Sequence, residues 1–374
     1  MENSLDTPTS QVRNNIVKFI GRGSELFAID LVNIILTVLT IGLYYPWAKA
    51  RKLKYVFQHT ELAGSRFDFL GTGKEIFRGF IKAFFIILGF YVLYLIVVFF
   101  IGDIAQHEIV LGVTIAVFVL AFGVGLPLFI AYAIYGTFRY RAARTSWRGI
   151  LAGFRANKRE FITTYLKGYY LVFGSMLLFY APAIIVAFVE QGNSEPSPLS
   201  VLVMLLMFPA MIAILFASAW YQTKLYKITY GNLRLGNLQL HFTGKVKELF
   251  GIMVVGSILS GLTFGIYLFW YYKNLYNFLI ENLYAEQEGV QYRMRSNISG
   301  GKVFRLEIGN ALLLIFTLGL AYSWTYCRTA RFFADNLVLP EGIDLDKIEQ
   351  TEHGYSDTTG EGMADMMDLG GIFF

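Results

Sequence analysis

Four long apolar runs, free of acidic residues, dominate the chain at 79–101, 109–138, 163–189 and 199–223. Each meets the requirement of about 20 apolar residues for crossing the hydrocarbon core, so each predicts a membrane-crossing helix. Three further runs, 26–47, 249–270 and 306–324, are also long enough, but each carries a Gly in its middle and a polar residue near one end. Beyond the Trp that closes each of these three, helical spacing gives way to alternation broken by Gly, in TELAGSRFDFLG (60–71), NLYAEQEGVQYRMR (282–295) and NLVLPEGIDL (336–345). NLRLGNLQLHFTG (232–244) alternates in the same way. Period-two alternation around a Gly-containing turn predicts small β-hairpins, which gain stability by joining into a sheet.

The three Gly-interrupted runs align without a gap on their tryptophans, which points to an internal repeat. Phe27, Phe250 and Phe304 are equivalent, as are Thr40, Thr263 and Thr317, then Gly42, Gly265 and Gly319, then Trp47, Trp270 and Trp324. Twelve residues past each Trp stand His59, Asn282 and Asn336. A weaker copy places Asn232 at the same distance from Trp220, and a degenerate one lies around Gly125 and Phe138.

The fold class expected is an all-α polytopic membrane protein of about seven membrane segments built on this repeat, with short cytoplasmic β-hairpins after the repeat helices. The organisation reads as a polar N-terminal segment at 1–20, a membrane domain at 21–350 and an acidic, disordered tail at 351–374. Repeat units lie near 24–75, 207–245, 247–297 and 301–345, with the degenerate copy near 118–160.

Composition agrees with the membrane class: 55% of residues are hydrophobic, 17% aromatic and only 16% charged, too apolar for a soluble domain of this length. The first twenty residues lack the features of a secretory signal. One cysteine, Cys327, and four scattered histidines give no disulfide framework and no metal-ligand spacing. No cofactor is expected.

Charge sets the expected orientation, because Lys and Arg beside membrane segments are kept in the cytoplasm. The basic connections 48–54, 139–148, 156–159 and 223–227 are assigned inside, and the loops 102–108 and 190–198, which hold no Lys or Arg, outside. Lys49, Arg51, Lys52, Lys54, Arg139, Arg141 and Arg144 are read as topology determinants that attract anionic lipid headgroups. Basic residues flank the Gly-interrupted runs on both sides, which a single crossing does not explain. Seven crossings with the N-terminus outside is the expectation favoured by run length; the alternative is re-entrant half-helices broken at the Gly, leaving four full spans and both termini inside.

At this point the residues carry a resemblance. GRGSELFAIDLVNIILTVLTIGLYYPWAKARKLKYVFQHTELAGSRFDFLGTGKE (21–75) and TLGLAYSWTYCRTARFFADNLVL (317–339) resemble the YjgN family of bacterial inner-membrane proteins, also called domain of unknown function 898. The resemblance runs from about residue 15 to 350. It implies a multi-pass protein of the bacterial inner membrane and brings no established activity. In many genomes the family lies beside a membrane metallopeptidase gene, which suggests a partner.

Candidate functional residues are few. Asp30 and Glu307 occupy one repeat position, and Asn33 and Asn310 another. An ionisable group in a membrane segment is a functional candidate because it is expensive there, although one within a helix's first turns is also favoured by the helix dipole. Thr40, Gly42, Thr263, Gly265, Thr317 and Gly319 either let helices pack closely or line a site at broken helices; packing is the favoured reading. No H-E-x-x-H, G-x-S-x-G or phosphate-loop motif is present, so catalysis is not expected. Two functions remain. The first is a transporter or channel for a small solute; the second is a membrane scaffold or accessory subunit that engages another membrane protein, such as a metallopeptidase, through its hairpin edges. The partners expected are the bilayer with its anionic headgroups, a membrane protein partner or a second copy of the chain, and no nucleic acid.

Overall fold

The computed structural model describes residues 12–13, 16–104, 108–189, 197–340 and 342–351. The four acid-free apolar runs form helices long and apolar enough to cross a membrane, at Gly73–Phe99, Val110–Arg144, Lys158–Ala187 and Ser200–Asn232. They belong to α3 (Gly73–Ile104), to α4 (Glu108–Phe118) continued into α5 (Leu126–Arg144), to α6 (Lys158–Val189) and to α7 (Pro198–Thr229). Between α4 and α5 the backbone widens into a π-helical stretch, Val119–Gly125, rich in small residues ahead of Pro127. The widened turn lets the Gly123 carbonyl accept a hydrogen bond from the Tyr170 hydroxyl at 2.7 Å.

The other three apolar runs are not single helices. Each folds as a helix, a five-residue turn and a second helix: α1 (Gly23–Leu39) with α2 (Tyr45–Gln58), α8 (Val246–Leu262) with α9 (Leu268–Glu281), and, across the turn after Phe316, α10 (Gly300–Phe316) with α11 (Tyr322–Asn336). The strands on either side of each pair show why this matters. β2 (Val17–Phe19), which enters α1, pairs with β3 (Thr60–Leu62), which leaves α2. β8 (Leu238–Phe242) and β9 (Leu283–Gln287) bracket α8 and α9 in the same way, and β11 (Arg295–Ser296) and β12 (Leu337–Pro340) bracket α10 and α11. A unit whose entry and exit strands are neighbours returns to the side it left. The fold does not bear out seven crossings: four helices are long and apolar enough to cross, and three units turn back to the strands they left.

Helix length gives the depth of the turn. Seventeen residues rise about 25 Å and fourteen descend about 21 Å, whereas the 32 residues of α3 rise about 48 Å from the same sheet. The short units stop roughly half-way up the long ones.

The all-α expectation also needs correction, because the hairpins join. A nine-stranded antiparallel sheet runs β10-β9-β8-β7-β6-β5-β4-β3-β2, where β4 is Ser65–Phe69, β5 Thr145–Trp147, β6 Ile150–Phe154, β7 Leu233–Leu235 and β10 Val290–Arg293. A three-stranded sheet, β1-β12-β11, with β1 at Val12–Arg13, ties its ends together, since β11 follows β10 after Met294 and β1 lies three residues before β2. The hairpins foreseen at 60–71, 232–244 and 282–295 all form; 336–345 instead contributes one strand, β12, that pairs with β1 and β11. The β5–β6 hairpin turns on Arg148 and Gly149, both at positive φ, as two-residue hairpin turns require.

Beyond β12 the chain crosses the turns of the other hairpins as a strap, residues 342–351. The Gln287 side chain both donates to and accepts from the Asp344 backbone, Arg148 reaches Asp346 at 2.6 Å, and Asn237 bonds Lys347 and Glu349. Ile348 is buried beside Leu62 and Trp147, with Phe67, Leu235 and Leu238 around them. The disordered tail expected at 351–374 and the first eleven residues of the N-terminal segment lie, apart from Thr351, outside the described residues.

On the helix side, the sheet is fastened by aromatic pairs. Phe69 meets Tyr140 edge-on at 6.2 Å, Phe242 meets Phe278 at 5.9 Å, and Phe19 packs with Tyr55 in one core cluster. Three helices, α1, α3 and α10, start on glycines that touch tryptophans of a neighbouring helix pair. A Cβ at Gly23, Gly73 or Gly300 would lie 2.3 to 2.5 Å from the ring of Trp324, Trp47 or Trp270.

Candidate functional site

The re-entrant turns are built from the T-x-G motif. In all three, the residue before Gly and the Gly itself have positive φ: Ile41 and Gly42, Phe264 and Gly265, Leu318 and Gly319. Nothing lies within 4 Å of a Cβ placed at Gly42 or Gly319, so these glycines serve backbone conformation and not close helix packing, a correction to the reading favoured above. The Thr hydroxyl closes the turn on both sides. Thr40 Oγ1 donates to the Leu36 carbonyl at 2.7 Å and accepts from the Tyr44 N–H at 2.9 Å. Thr263 and Thr317 repeat this with Leu259 and Tyr267, and with Leu313 and Ala321. Every N–H from 40 to 45 has an acceptor within the turn, the condition for placing irregular backbone away from water. The tips are almost bare, with Ile41 95%, Phe264 98% and Leu318 93% exposed.

Below the first and third tips lies a cavity of about 860 Å³. Its walls come from α1, α2 and α11, with Arg141 of α5 at one side and Thr60 and Phe67 of the sheet at its floor. It runs from Val38, Gly319 and Leu320 at the turns down to that floor. Asp30 accepts a hydrogen bond from the Ser323 hydroxyl at 2.8 Å and sits 3.6 Å from Lys52 Nζ. The Lys52 ammonium also lies 4.8 and 5.0 Å from the ring centres of Tyr322 and Tyr326, a cation–π enclosure.

The sequence candidates separate here. Asp30 and Asn33 line the cavity. Glu307 is exposed on α10, outside the cavity lining, so the carboxylates do not form one path. Asn33 donates to the Ala48 carbonyl at 3.3 Å and Asn310 to the Thr329 hydroxyl at 3.0 Å; each ties the first half-helix of its unit to the second. Glycine at the matching position, Gly256, packs on Tyr271 instead. The residues twelve past each tryptophan are helix-ending donors: Asn232, Asn282 and Asn336 donate to the carbonyl four residues earlier, and His59 Nδ1 is 2.7 Å from that of Tyr55.

The basic residues divide as well. Arg51 and Lys54 are exposed. Lys49, Lys52 and Arg141 line the cavity, while Arg144 pairs with Glu75 at 2.6 Å and Arg139 is half-buried. Ser323, Tyr322 and Tyr326 are not among the sequence candidates, because they meet Asp30 and Lys52 only through packing between units far apart in the chain. Burial raises the Tyr55 hydroxyl to about 12, keeping it a neutral donor to the Arg22 carbonyl and acceptor from the Arg22 N–H.

Comparison with known proteins gives one family across the chain. The profile described as "Bacterial protein of unknown function (DUF898)" matches residues 14–186, 154–290 and 275–366. The "Inner membrane protein YjgN" of Salmonella typhimurium is 24% identical over 393 aligned positions, covering 90% of this chain and 91% of that protein. The protein of the same name from Escherichia coli K12 is 35% identical over 75 residues, 20% of this chain and 18% of its own. No solved structure matches.

Proposed function

Because the chain belongs to the DUF898 family of bacterial proteins and is an inner-membrane protein like its YjgN relatives, we propose that it conducts or carries a small solute through the cavity between α1, α2 and α11. The observation that carries this reading is the reach of that one cavity, from the re-entrant turns at Val38 and Gly319 to the sheet at Thr60 and Phe67, with a carboxylate and three cations along it. Broken helices whose turns stand inside the membrane beside a polar cavity are the arrangement by which transporters hold a site at mid-depth. The sheet lies on the cytoplasmic side in this reading, because the basic connections at 139–148, 156–159 and 223–227 lie at its end of the helices.

The scaffold reading relied on open hairpin edges. Each strand from β3 to β9 is paired on both sides, which leaves that stretch of sheet no edge to offer a partner.

The test is water access. On a Cys327→Ser background, single cysteines at Val38, Leu320 and, as a lipid-facing control, Phe264 are exposed to a small charged thiol reagent in inside-out vesicles. A solute path requires Leu320→Cys and Val38→Cys to react while Phe264→Cys stays inert. Equal inertness at all three means a dry packing gap and ends the proposal.

A further inference from the structure

The strap at 342–351 lies over the middle of the ring of strands, on the side away from the helices. Strands β2 to β8 and β12 each send an apolar side chain into one cluster around Leu62 and Trp147, and the strap adds Leu345 and the buried Ile348. A cluster reached from eight strands of a ring lies near the ring's axis. Phe67 serves two places, since it packs on this cluster and also lines the floor of the cavity. The cavity floor and the strap's Ile348 are thus two sides of one apolar plug. Trp147 is fixed within it, fully buried, with its indole N–H 3.2 Å from the carbonyls of Leu62 and Ser65.

The strap itself is held by weaker means. Apart from Ile348 and Leu345, its fastenings are polar and lie at the hairpin turns. The Thr351 hydroxyl donates to the Gly236 carbonyl at 2.6 Å, and the Gln350 side chain accepts from the Leu151 N–H at 2.6 Å. Asp346, the partner of Arg148, has a side chain 85% exposed, and an ion pair so open to water contributes little. A segment with little apolar burial and exposed hydrogen bonds opens more readily than the fold around it. Its seat is nonetheless specific: a Cβ added at Gly236 would collide with the Glu349 carbonyl oxygen.

We propose that the strap is a cytoplasmic gate. Seated, its Ile348 holds the Leu62–Trp147–Phe67 plug shut; lifted, it opens the cavity floor at Thr60 and Phe67 to water. This rests on the solute-path reading for what the gate controls. The seated strap slows entry from the cytoplasm, and its lifting sets the rate.

The experiment uses the full chain in inside-out vesicles on the Cys327→Ser background, with Thr60→Cys as the reporter at the floor and a small charged thiol reagent. Gly236→Ala unseats the strap, and Ile348→Asp puts a charge on its peg; each should raise the labelling rate at least about tenfold. Gly289→Ala, at another hairpin turn with positive φ but nothing within 4 Å, carries the same backbone strain without meeting the strap and should leave the rate unchanged. Unchanged labelling in both strap variants, or an equal rise in Gly289→Ala, overturns the gate. A second measurement needs no variant. The Leu151 and Asn237 amides, whose acceptors belong to the strap, should exchange hydrogen faster than the ladder amides of β4 and β5; exchange as slow as the ladder also overturns the gate. Thr60→Cys accelerated by unseating, with Val38→Cys and Leu320→Cys inert throughout, would keep the gate and reject the path. Val38→Cys and Leu320→Cys reacting at one rate with the strap seated or displaced would keep the path and reject the gate.

Discussion

Replacing Thr263 by Val tests whether the re-entrant turns depend on a single hydroxyl. Valine keeps the shape and the β-branch, so packing at the tip is unchanged. The loss is the acceptor for the Tyr267 N–H, 3.0 Å from Thr263 Oγ1; the Leu259 carbonyl keeps its bond from the Thr263 N–H. An orphaned donor in a protein interior costs about 1–3 kcal/mol, and more where no water can substitute. With Phe264 98% exposed at the tip, and the tip in lipid on the solute-path reading, about 2–3 kcal/mol is expected. Thr263→Ser, which keeps the oxygen, should lose less than about 1 kcal/mol. The three tips lie in separate units, so their effects should add. A triple Val variant would then lose about 6–9 kcal/mol, enough to consume the stability of a typical domain. Denaturant unfolding in detergent, followed by the fluorescence of the five tryptophans, gives the numbers. If the Val and Ser variants are equally stable, the hydroxyl does not hold the turn and the account of the T-x-G motif fails.

Three further outcomes follow from packing and charge. Gly73→Ala drives a Cβ to within 2.5 Å of Trp47 and should cost about 1–3 kcal/mol, whereas Gly89→Ala, in open space, should not; unfolding midpoints separate them. Glu75→Gln weakens the partner of Arg144 at 2.6 Å and of the Tyr140 hydroxyl at 3.0 Å, for an expected loss of about 1–3 kcal/mol that Arg144→Gln should not add to fully. Cys327 is 3% exposed, so maleimide labelling of folded protein should be slow and become fast only on unfolding.

Much of this architecture is legible in the residues. The four acid-free runs specify their own crossings, since length and apolarity suffice, and alternation about Gly located three of the hairpins. The turn-back of the other units was not legible from the runs themselves: Leu26 to Trp47 has the composition of a span, and only the pairing of β2 with β3 shows that both ends lie at the sheet. The basic flanks on both sides of that run carried the signal, and run length outweighed it. The β5–β6 hairpin was missed because TSWRGILAGF begins inside the basic run 139–148, which was read as a connection between spans. Within the site, Asp30 was found as an expensive intramembrane charge, but Glu307 was grouped with it by sequence position, a relation that says nothing about which helix face meets the cavity. Ser323, Lys52 and Arg141 come together across almost three hundred residues of chain, and no local pattern encodes such a meeting.

The pairing of β1 with β12 has a consequence for biogenesis. The first and last strands among the described residues complete one circle, so the circle cannot close before β12 has been made. The four spans and two of the re-entrant units emerge first and must wait in the membrane for the third unit and β12. Synthesis at about 5–20 residues per second makes that wait many seconds, during which the sheet is open at both ends and the strap that crosses it does not yet exist.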